Sequence, residues 1–245
     1  METGVFYIKK DSGGKNETKK VQIPTLSVHL FQCGTYLKTS LHEEMNINNI
    51  LYSSEWKGPK KGQYLIYTDL YFPVNFHKIR MHASAIKSLK VENAGGASRY
   101  SEAMSIHYIN ARFGAKNFVL ENEVEYWIQY KMCDYITIIH GQNIGISVTR
   151  AMGFPTPCKF TMKSADLLLY KKMHGLIIAR RGISEKHAFA KSILHIWCQT
   201  TEIAILLNEA HKRLIDNDNS ATLHEILVIL TVCEKEYIYK DRMTE

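Results

Sequence analysis

The side chains best suited to chemistry in this sequence are its eleven histidines and five cysteines. His187 and His195 are eight residues apart, whereas two ligands on one helix face need a spacing of three or four. His224 is followed by Glu225 but has no second histidine one turn later. The sequence contains no H-E-x-x-H and no C-x-x-C. We therefore predict no metal site.

Motifs for catalysis or nucleotide binding are equally absent. Asp134, Glu123 and Glu125 could supply a carboxylate pair, but carboxylates on strands and turns are far more often solvated. No G-x-S-x-G motif marks a nucleophile, and Glu92–Ser98 has neither the Walker nor the dinucleotide glycine spacing. A catalytic cysteine–histidine dyad remains an alternative, because the two residues of such a dyad can be far apart in sequence and adjacent only in the folded chain. We predict a protein that is not an enzyme and has no catalytic residues.

Composition is that of a globular protein with a basic balance. The chain has 245 residues, 45% of them hydrophobic and 22% charged, and a formal net charge of +7. The cations occur in short pairs such as Lys60–Lys61 and Arg180–Arg181 rather than in one block. This distribution favours solvated faces and protein contacts slightly over a nucleic-acid groove. The cysteines are scattered, and we expect them to be reduced and packed in the core: Cys33, Cys133, Cys158, Cys198 and Cys233.

Neither a membrane span nor a secretory signal is indicated by the pattern of apolar residues. No run of about 18 apolar residues occurs, and residues 1–10 lack the basic-then-apolar order of a signal peptide. We expect a protein that is made and kept inside a cell and has no membrane partner.

The first two thirds of the chain alternate with the period of strands. Residues 1–22 are polar and are expected to form a flexible or partner-ordered arm. From residue 23 to 160 we predict a β-rich region of hairpins. Its strands are expected at Gln22–Cys33, Tyr36–Leu41, Gln63–Phe72, Phe72–Ala83, Ile106–Arg112, Phe118–Tyr130, Tyr135–His140 and Ile144–Thr149.

The last third changes to the spacing of helices. Apolar residues three and four apart predict a helix over Ser184–Arg213, with Trp197, Ile193 and Ala204 on its buried face. The capping-box pattern Thr222–Glu225 predicts a second helix over Ser220–Tyr239. We therefore predict one globular domain over 23–245, helical over 184–240. Its class is α+β: an antiparallel β-sandwich followed by covering C-terminal helices.

One family resemblance rests on the middle of the chain. Val74–Asn75, Ile79–Met81 with Ala83, and Ser105–Tyr108 follow one another with the spacing of a cypovirus polyhedrin. The segments Val124–Tyr130 and Tyr135–Gly141 continue that order. The overall length is also similar. The resemblance covers roughly Tyr64–Gly141 and, more faintly, Ala188–Leu207.

This resemblance implies a structural function. Polyhedrins form trimers that pack into intracellular crystals, the occlusion bodies, around virus particles, and these crystals dissolve in alkali. The implied partners are copies of the chain and virions, in the cytoplasm of an infected cell. No cofactor is required, although some members bind nucleotides between subunits. No residue here matches a nucleotide motif, so the binding residues stay unknown. Residues 1–22 show no helical stripe, unlike the N-terminal helix of that family.

A single-stranded nucleic-acid-binding protein, such as a nucleocapsid, is the alternative. Aromatic residues alternate with cations in one segment, where they could stack on bases and contact phosphates. We favour another interpretation of the same alternation, a sheet with an apolar core face and a charged outer face. The residues concerned are Tyr64, Tyr67, Tyr71, Phe76, Lys78 and Arg80.

Overall fold

The computed structural model describes residues 26–30, 35–53, 64–91, 98–153, 159–218 and 222–240. Within these ranges, eight strands form one mixed sheet. In chain order they are β1 (Leu26–Leu30), β2 (Tyr36–Ser40), β3 (Ile66–Phe72), β4 (Lys116–Leu120), β5 (Tyr135–Ile139), β6 (Gln142–Ala151), β7 (Lys191–Cys198) and β8 (Ile226–Val232). Across the sheet their order is β1-β2-β3-β8-β7-β6-β5-β4.

The four central strands, β3, β8, β7 and β6, are parallel to one another. Every residue of β7 and β8 is buried. A parallel strand that is covered on both faces needs apolar residues at successive positions instead of an alternation. The sequence Ile226-Leu-Val-Ile-Leu-Thr-Val232 meets that requirement with β-branched residues that also suit a pleated backbone.

The outer strands are antiparallel hairpins. β1 pairs with β2 at one margin, and β4, β5 and β6 form a meander at the other. The β5–β6 connection is a two-residue turn in which His140 and Gly141 both have positive φ, at 49° and 77°. This backbone is that of a type I′ turn, whose twist matches the strands it joins.

In the described parts of the chain, five α-helices cover the two faces of the sheet. They are α1 (Leu41–Tyr52), α2 (Ala83–Lys90), α3 (Arg99–Phe113), α4 (Met162–Gly182) and α5 (Thr201–Asp216). The first three pack on one face, around the aromatic core of Tyr71, Tyr108 and Trp197. α4 and α5 pack on the other face, over aliphatic residues of β6, β7 and β8. In sequence, α4 connects β6 to β7 and α5 connects β7 to β8, so both are crossovers between parallel strands.

The prediction of an antiparallel sandwich is therefore wrong, and the class is α/β with a single mixed sheet. The predicted helices at 184–240 fail for the same reason. Ser184–Arg213 contains β7 before α5 begins at Thr201, and Ser220–Tyr239 contains β8 between short 3₁₀ turns. Fully buried strands have no polar face, so their apolar residues also fit the three-four spacing of a helix.

Three predicted strands in the middle of the chain are also wrong. Ile106–Arg112 lies within α3, nine of whose residues are buried, so the polar stripe that normally reveals a helix is missing. Phe72–Ala83 contains only the last residue of β3 and then forms a 3₁₀ turn at Phe76–Lys78 before α2 begins. Of Phe118–Tyr130 only the first residues belong to β4, and the chain then turns at Glu121–Glu123.

Other predictions are confirmed. Strands occur within Gln63–Phe72 and Tyr36–Leu41, and the hairpin over 135–149 is present. Cys133, Cys198 and Cys233 are free and buried. Cys33, Cys158, the arm 1–22 and the glycine-containing residues 92–97 lie outside the described residues. Within the described ranges, no helix has both the length and the apolar character needed to cross a bilayer.

Candidate nucleic-acid interface

Helix α4 is the longest helix of the described chain and carries an exposed basic face. Its first turn is capped by Thr161, whose hydroxyl accepts a hydrogen bond from the Ser164 amide at 3.2 Å. One side buries Ala165, Leu169 and Met173 against the sheet. The opposite side faces solvent along the whole helix.

That solvent side is an apolar and cationic stripe, which we call the α4 outer face. Leu167 and Tyr170 on it are 66% and 56% exposed, although large apolar side chains usually pack in the core. The Tyr170 ring lies 4.3 Å from that of His174. The stripe spans roughly 27 Å at the rise of an α-helix. Its members recur at a spacing of three or four: Lys163, Leu167, Tyr170, Lys171, His174, Ile178 and Arg181.

The charges of α4 divide into a tethered set and an outward set. The helix has five cations and one carboxylate, Asp166. Asp166 accepts a hydrogen bond from Arg213 at 2.7 Å. Arg180 pairs with Glu225, and Lys172 reaches the Val148 carbonyl at 3.4 Å. The outward cations are the other three: Lys163, Lys171 and Arg181.

A cavity of about 410 Å³ adjoins the first half of this face. It lies beside the part of β6 that extends beyond β5. Pairing with β5 ends at Ile146, whereas β6 continues to Ala151. Arg150, Lys159 and Lys171 line it, and no carboxylate is among its described lining residues. The rest of the wall is Met152, Gly153, Phe160, Ser164, Leu167 and Leu168. A cavity with cations and an aromatic wall suits a phosphate joined to a flat ring.

A second cavity, of about 500 Å³, lies on the other side of the stripe, between α4 and α5. Leu167 lines both cavities. Lys163, Tyr170 and Arg213 line the second cavity together with Asp166, the carboxylate that accepts a hydrogen bond from Arg213. The α4 outer face therefore has a concave, cation-bearing surface on each side of its N-terminal half.

The uncovered edge of β6 is closed by a lysine and a carboxylate. The Asp134 carboxylate accepts hydrogen bonds from the Val148 amide and the Ser147 hydroxyl, both at 2.8 Å. Lys172 donates to the Val148 carbonyl. Nearby, burial raises the pKa of Glu121, and the negative charge of Asp134 raises that pKa further. The positive charge of Lys172 acts in the opposite direction and lowers the pKa of Glu121. These contacts satisfy backbone groups that β5 leaves unpaired.

A serine–histidine contact does exist, but it is inside the core. The Ser105 hydroxyl lies 2.7 Å from His195 Nδ1, and Thr231 lies 3.0 Å from His195 Nε2. Ser105, His195 and Thr231 are buried with no measurable exposure. Burial lowers the pKa of His195 to about 3, so the ring is neutral at physiological pH. A substrate has no access to this pair, and we assign it to the structure of the core.

The carboxylates singled out from sequence are not brought together. Glu123 pairs with Lys87, and Glu125 pairs with Lys186. Asp134 is bound to the edge of β6 instead. The described residues contain no group of three or more histidine, cysteine or acidic side chains that could hold a metal ion.

The aromatic–cation segment predicted from sequence is not a stacking surface. Tyr67 and Tyr71 are buried in the core, and the Tyr64 hydroxyl donates to Asp216 at 2.8 Å. Phe76 packs against Tyr100 and Tyr237. Only Lys78 and Arg80 of that set are exposed cations. The α4 outer face was missed, although Thr161 and the spacing of Ala165, Leu169 and Met173 mark its helix.

Comparisons with known proteins define no family for this chain. No family model matches, and no solved structure matches. The chain is similar to the AAC-rich mRNA clone AAC4 protein of Dictyostelium discoideum, with 32% identity over 141 residues. The matched part is 55% of this chain but only 20% of that protein. That name states no ligand or activity. The resemblance to polyhedrins and the occlusion-body function stay predictions, without support from these comparisons.

Proposed function

We propose that this protein binds single-stranded nucleic acid along the α4 outer face. The observation that carries the proposal is the pairing of outward cations with exposed apolar side chains on one helix. Lys163, Lys171 and Arg181 are spaced over about five turns, which suits successive phosphates. Leu167 and Tyr170 lie between them and offer surfaces for unpaired bases.

The cavity at the end of β6 supports the same function. Arg150, Lys159 and Lys171 surround a volume of about 410 Å³, within the range of small-ligand sites. Its cationic wall favours a phosphate, and Phe160 provides an apolar surface for the adjoining sugar or base. The net charge of +7 adds a long-range attraction for polyanions.

The test is oligonucleotide binding as a function of salt. A fluorescent oligothymidylate of about 12 nucleotides is titrated with the purified chain between about 50 and 200 mM salt. We expect log Kd to depend linearly on log salt. Replacing Lys163, Lys171 and Arg181 together with glutamine should reduce the magnitude of the slope by about 2, since each phosphate contact contributes roughly 0.7 for a single strand.

A matched variant removes the same charge elsewhere. Lys78, Arg80 and Lys90 are exposed cations near the 3₁₀ turn and α2, on the opposite face of the sheet. Their replacement with glutamine changes the net charge equally and should leave most of the slope intact. An equal loss in both triple variants would mean that binding follows net charge alone. Absence of salt-dependent binding by the unaltered chain would contradict the proposal.

A further inference from the structure

The loop at residues 124–134, between the 3₁₀ turn that follows β4 and the start of β5, is fixed against the C-terminal end of α4. The Trp127 amide donates to the Gly182 carbonyl at 2.8 Å, and the Ser184 amide donates to the Glu125 carbonyl at 3.0 Å. Tyr126 forms an isolated antiparallel bridge with Ile183. Gly182 fits this contact because an added Cβ would lie 3.1 Å from the Ile128 carbonyl oxygen. These contacts hold the loop backbone at Glu125–Trp127 against Gly182–Ser184.

Three large apolar side chains of this anchored loop point into solvent. Trp127, Ile128 and Tyr130 are 75%, 66% and 70% exposed. Tyr126, which precedes them, turns inward, where its hydroxyl accepts a hydrogen bond from the Cys133 amide at 3.0 Å. A tryptophan, an isoleucine and a tyrosine exposed together are unusual on a soluble surface and mark an interaction site.

The charges around these rings indicate the chemistry of the partner. The Lys131 ammonium lies 5.3 Å from the centre of the Tyr130 ring. Arg181 is exposed on the last turn of α4, next to the residue that Trp127 contacts. The nearby carboxylate of Glu125 is paired with Lys186. Flat rings beside cations fit a ligand that has both planar groups and negative charge.

We propose that Trp127 and Tyr130 form a base-stacking platform at the C-terminal end of the α4 outer face. The inference rests on the proposed function and adds its selectivity. The faces of bases are available in a single strand but are stacked within a duplex. The platform therefore makes the chain prefer single-stranded over double-stranded nucleic acid of the same sequence.

Tryptophan fluorescence tests the platform directly. The chain has three tryptophans, and a Trp56→Phe background leaves Trp127, which is exposed, and Trp197, which is buried. Saturation with oligothymidylate should quench the emission of Trp127. In this background a further Trp127→Phe change should abolish the quenching, because the remaining Trp197 cannot reach a base.

Affinity provides the second measurement. Removing one stacked aromatic ring weakens single-strand binding by roughly 1–3 kcal/mol, so Trp127→Ala should raise Kd about 5- to 150-fold. Tyr130→Ala should act in the same direction, whereas affinity for a duplex should change less than threefold. Tyr52→Ala is the matched control, because Tyr52 is a similarly exposed aromatic residue on α1. Its single-strand affinity should stay within threefold of the unaltered chain.

Other outcomes distinguish the platform from the proposed function. Suppose that oligothymidylate does not quench Trp127 emission in the Trp56→Phe background, that Trp127→Ala still binds a single strand, and that the α4 triple variant does not. This result contradicts the platform and supports the proposed function. Loss of affinity in both the Trp127→Ala variant and the α4 triple variant supports the platform and the proposed function together. A Trp127 emission change with phosphatidylcholine–phosphatidylserine vesicles but not with oligonucleotide assigns the rings to a membrane surface and overturns the platform. No binding of any oligonucleotide overturns the proposed function itself.

Discussion

Trp197 joins helix α3 to the centre of the sheet. Its ring packs beside Tyr71 and Tyr108, and its Nε1 donates to the Ser101 carbonyl at 2.9 Å. Its complete burial confirms the expectation from sequence, although it lies on a strand and not on a helix. Ile193 shares its face, whereas Ala204 belongs to the core on the other side of the sheet.

Trp197→Ala should lower the free energy of unfolding by roughly 3–5 kcal/mol, because it opens a cavity and leaves the Ser101 carbonyl without its donor. Urea denaturation followed by circular dichroism measures the change. Trp197→Phe keeps most of the packing and should be affected less. A loss below about 1 kcal/mol for the alanine variant would contradict the burial of this side chain.

Trp197 was predicted correctly as a core residue, but it was assigned to a helix instead of to strand β7. Ile193, Trp197 and the intervening residues are buried on both faces of β7, so nothing polar marks a period of two. Their apolar pattern extends across the 3₁₀ turn and α5 without a break that favours a strand. The packing of α3 and α4 on the two faces of β7 decides between a strand and a helix. A short window of sequence does not reveal that packing.

At the scale of elements, the β5–β6 hairpin was predicted correctly, whereas the crossovers between parallel strands were not. The β5–β6 hairpin is announced by alternating residues and by Gly141 in a turn that requires positive φ. The crossover β6–α4–β7 depends on contacts between residues far apart in sequence. The α4 outer face was missed for a related reason: its exposed Leu167 and Tyr170 blur the apolar stripe that would have identified the helix.

Gly145 on β6 provides a test of the packing between β6 and the segment before β7. A Cβ at this position would lie 2.3 Å from the ring of Phe189, which is far inside van der Waals contact. Gly145→Ala should therefore destabilise the protein by roughly 1–3 kcal/mol. A second change, Phe189→Leu, gives space to the added methyl group and should recover part of that loss in the double variant.

Gly175 is the matched control, because it lies within α4 and an added Cβ there meets nothing within 4 Å. Gly175→Ala should stabilise the protein by up to about 1 kcal/mol through helix propensity. Thermal denaturation of the two variants separates the effects by sign. Equal stability in Gly145→Ala and the unaltered chain would show that the Phe189 ring does not occupy this position.

At the scale of the whole molecule, burial of ionisable groups sets a pH range of stability. His195 and His211 have no measurable exposure, and burial lowers the pKa of each to about 3 from an ordinary 6.5. Burial raises the pKa of Tyr67 to about 12 from an ordinary 10, and it also raises the pKa of Tyr71 and Tyr135. Folding therefore holds these histidines and tyrosines in their neutral forms.

This arrangement bears on the expected dissolution of assemblies in alkali. Because the tyrosines are in the core of one chain, strong alkali acts on the fold itself, whether or not copies of the chain form a lattice. Loss of turbidity at high pH would therefore not distinguish an occlusion-body protein from any other assembly of this chain. The appearance of crystals when the protein is expressed alone is the observation that would test the occlusion-body prediction.

Stability should be highest between about pH 6.5 and 10 and should fall on both sides. Below 6.5 the unfolded chain binds protons at two histidines that the folded chain does not protonate until about pH 3. These two groups give a slope of about 2.7 kcal/mol per pH unit in that window. Above 10 the unfolded chain releases tyrosine protons that the folded chain retains, and stability declines through pH 12.

Urea midpoints across this pH range measure the fall of stability on the acid side and on the alkaline side. His195→Gln should reduce the acid slope by about half while leaving the alkaline limb in place, and an unchanged acid slope in that variant would show that the protonation of His195 is not linked to unfolding.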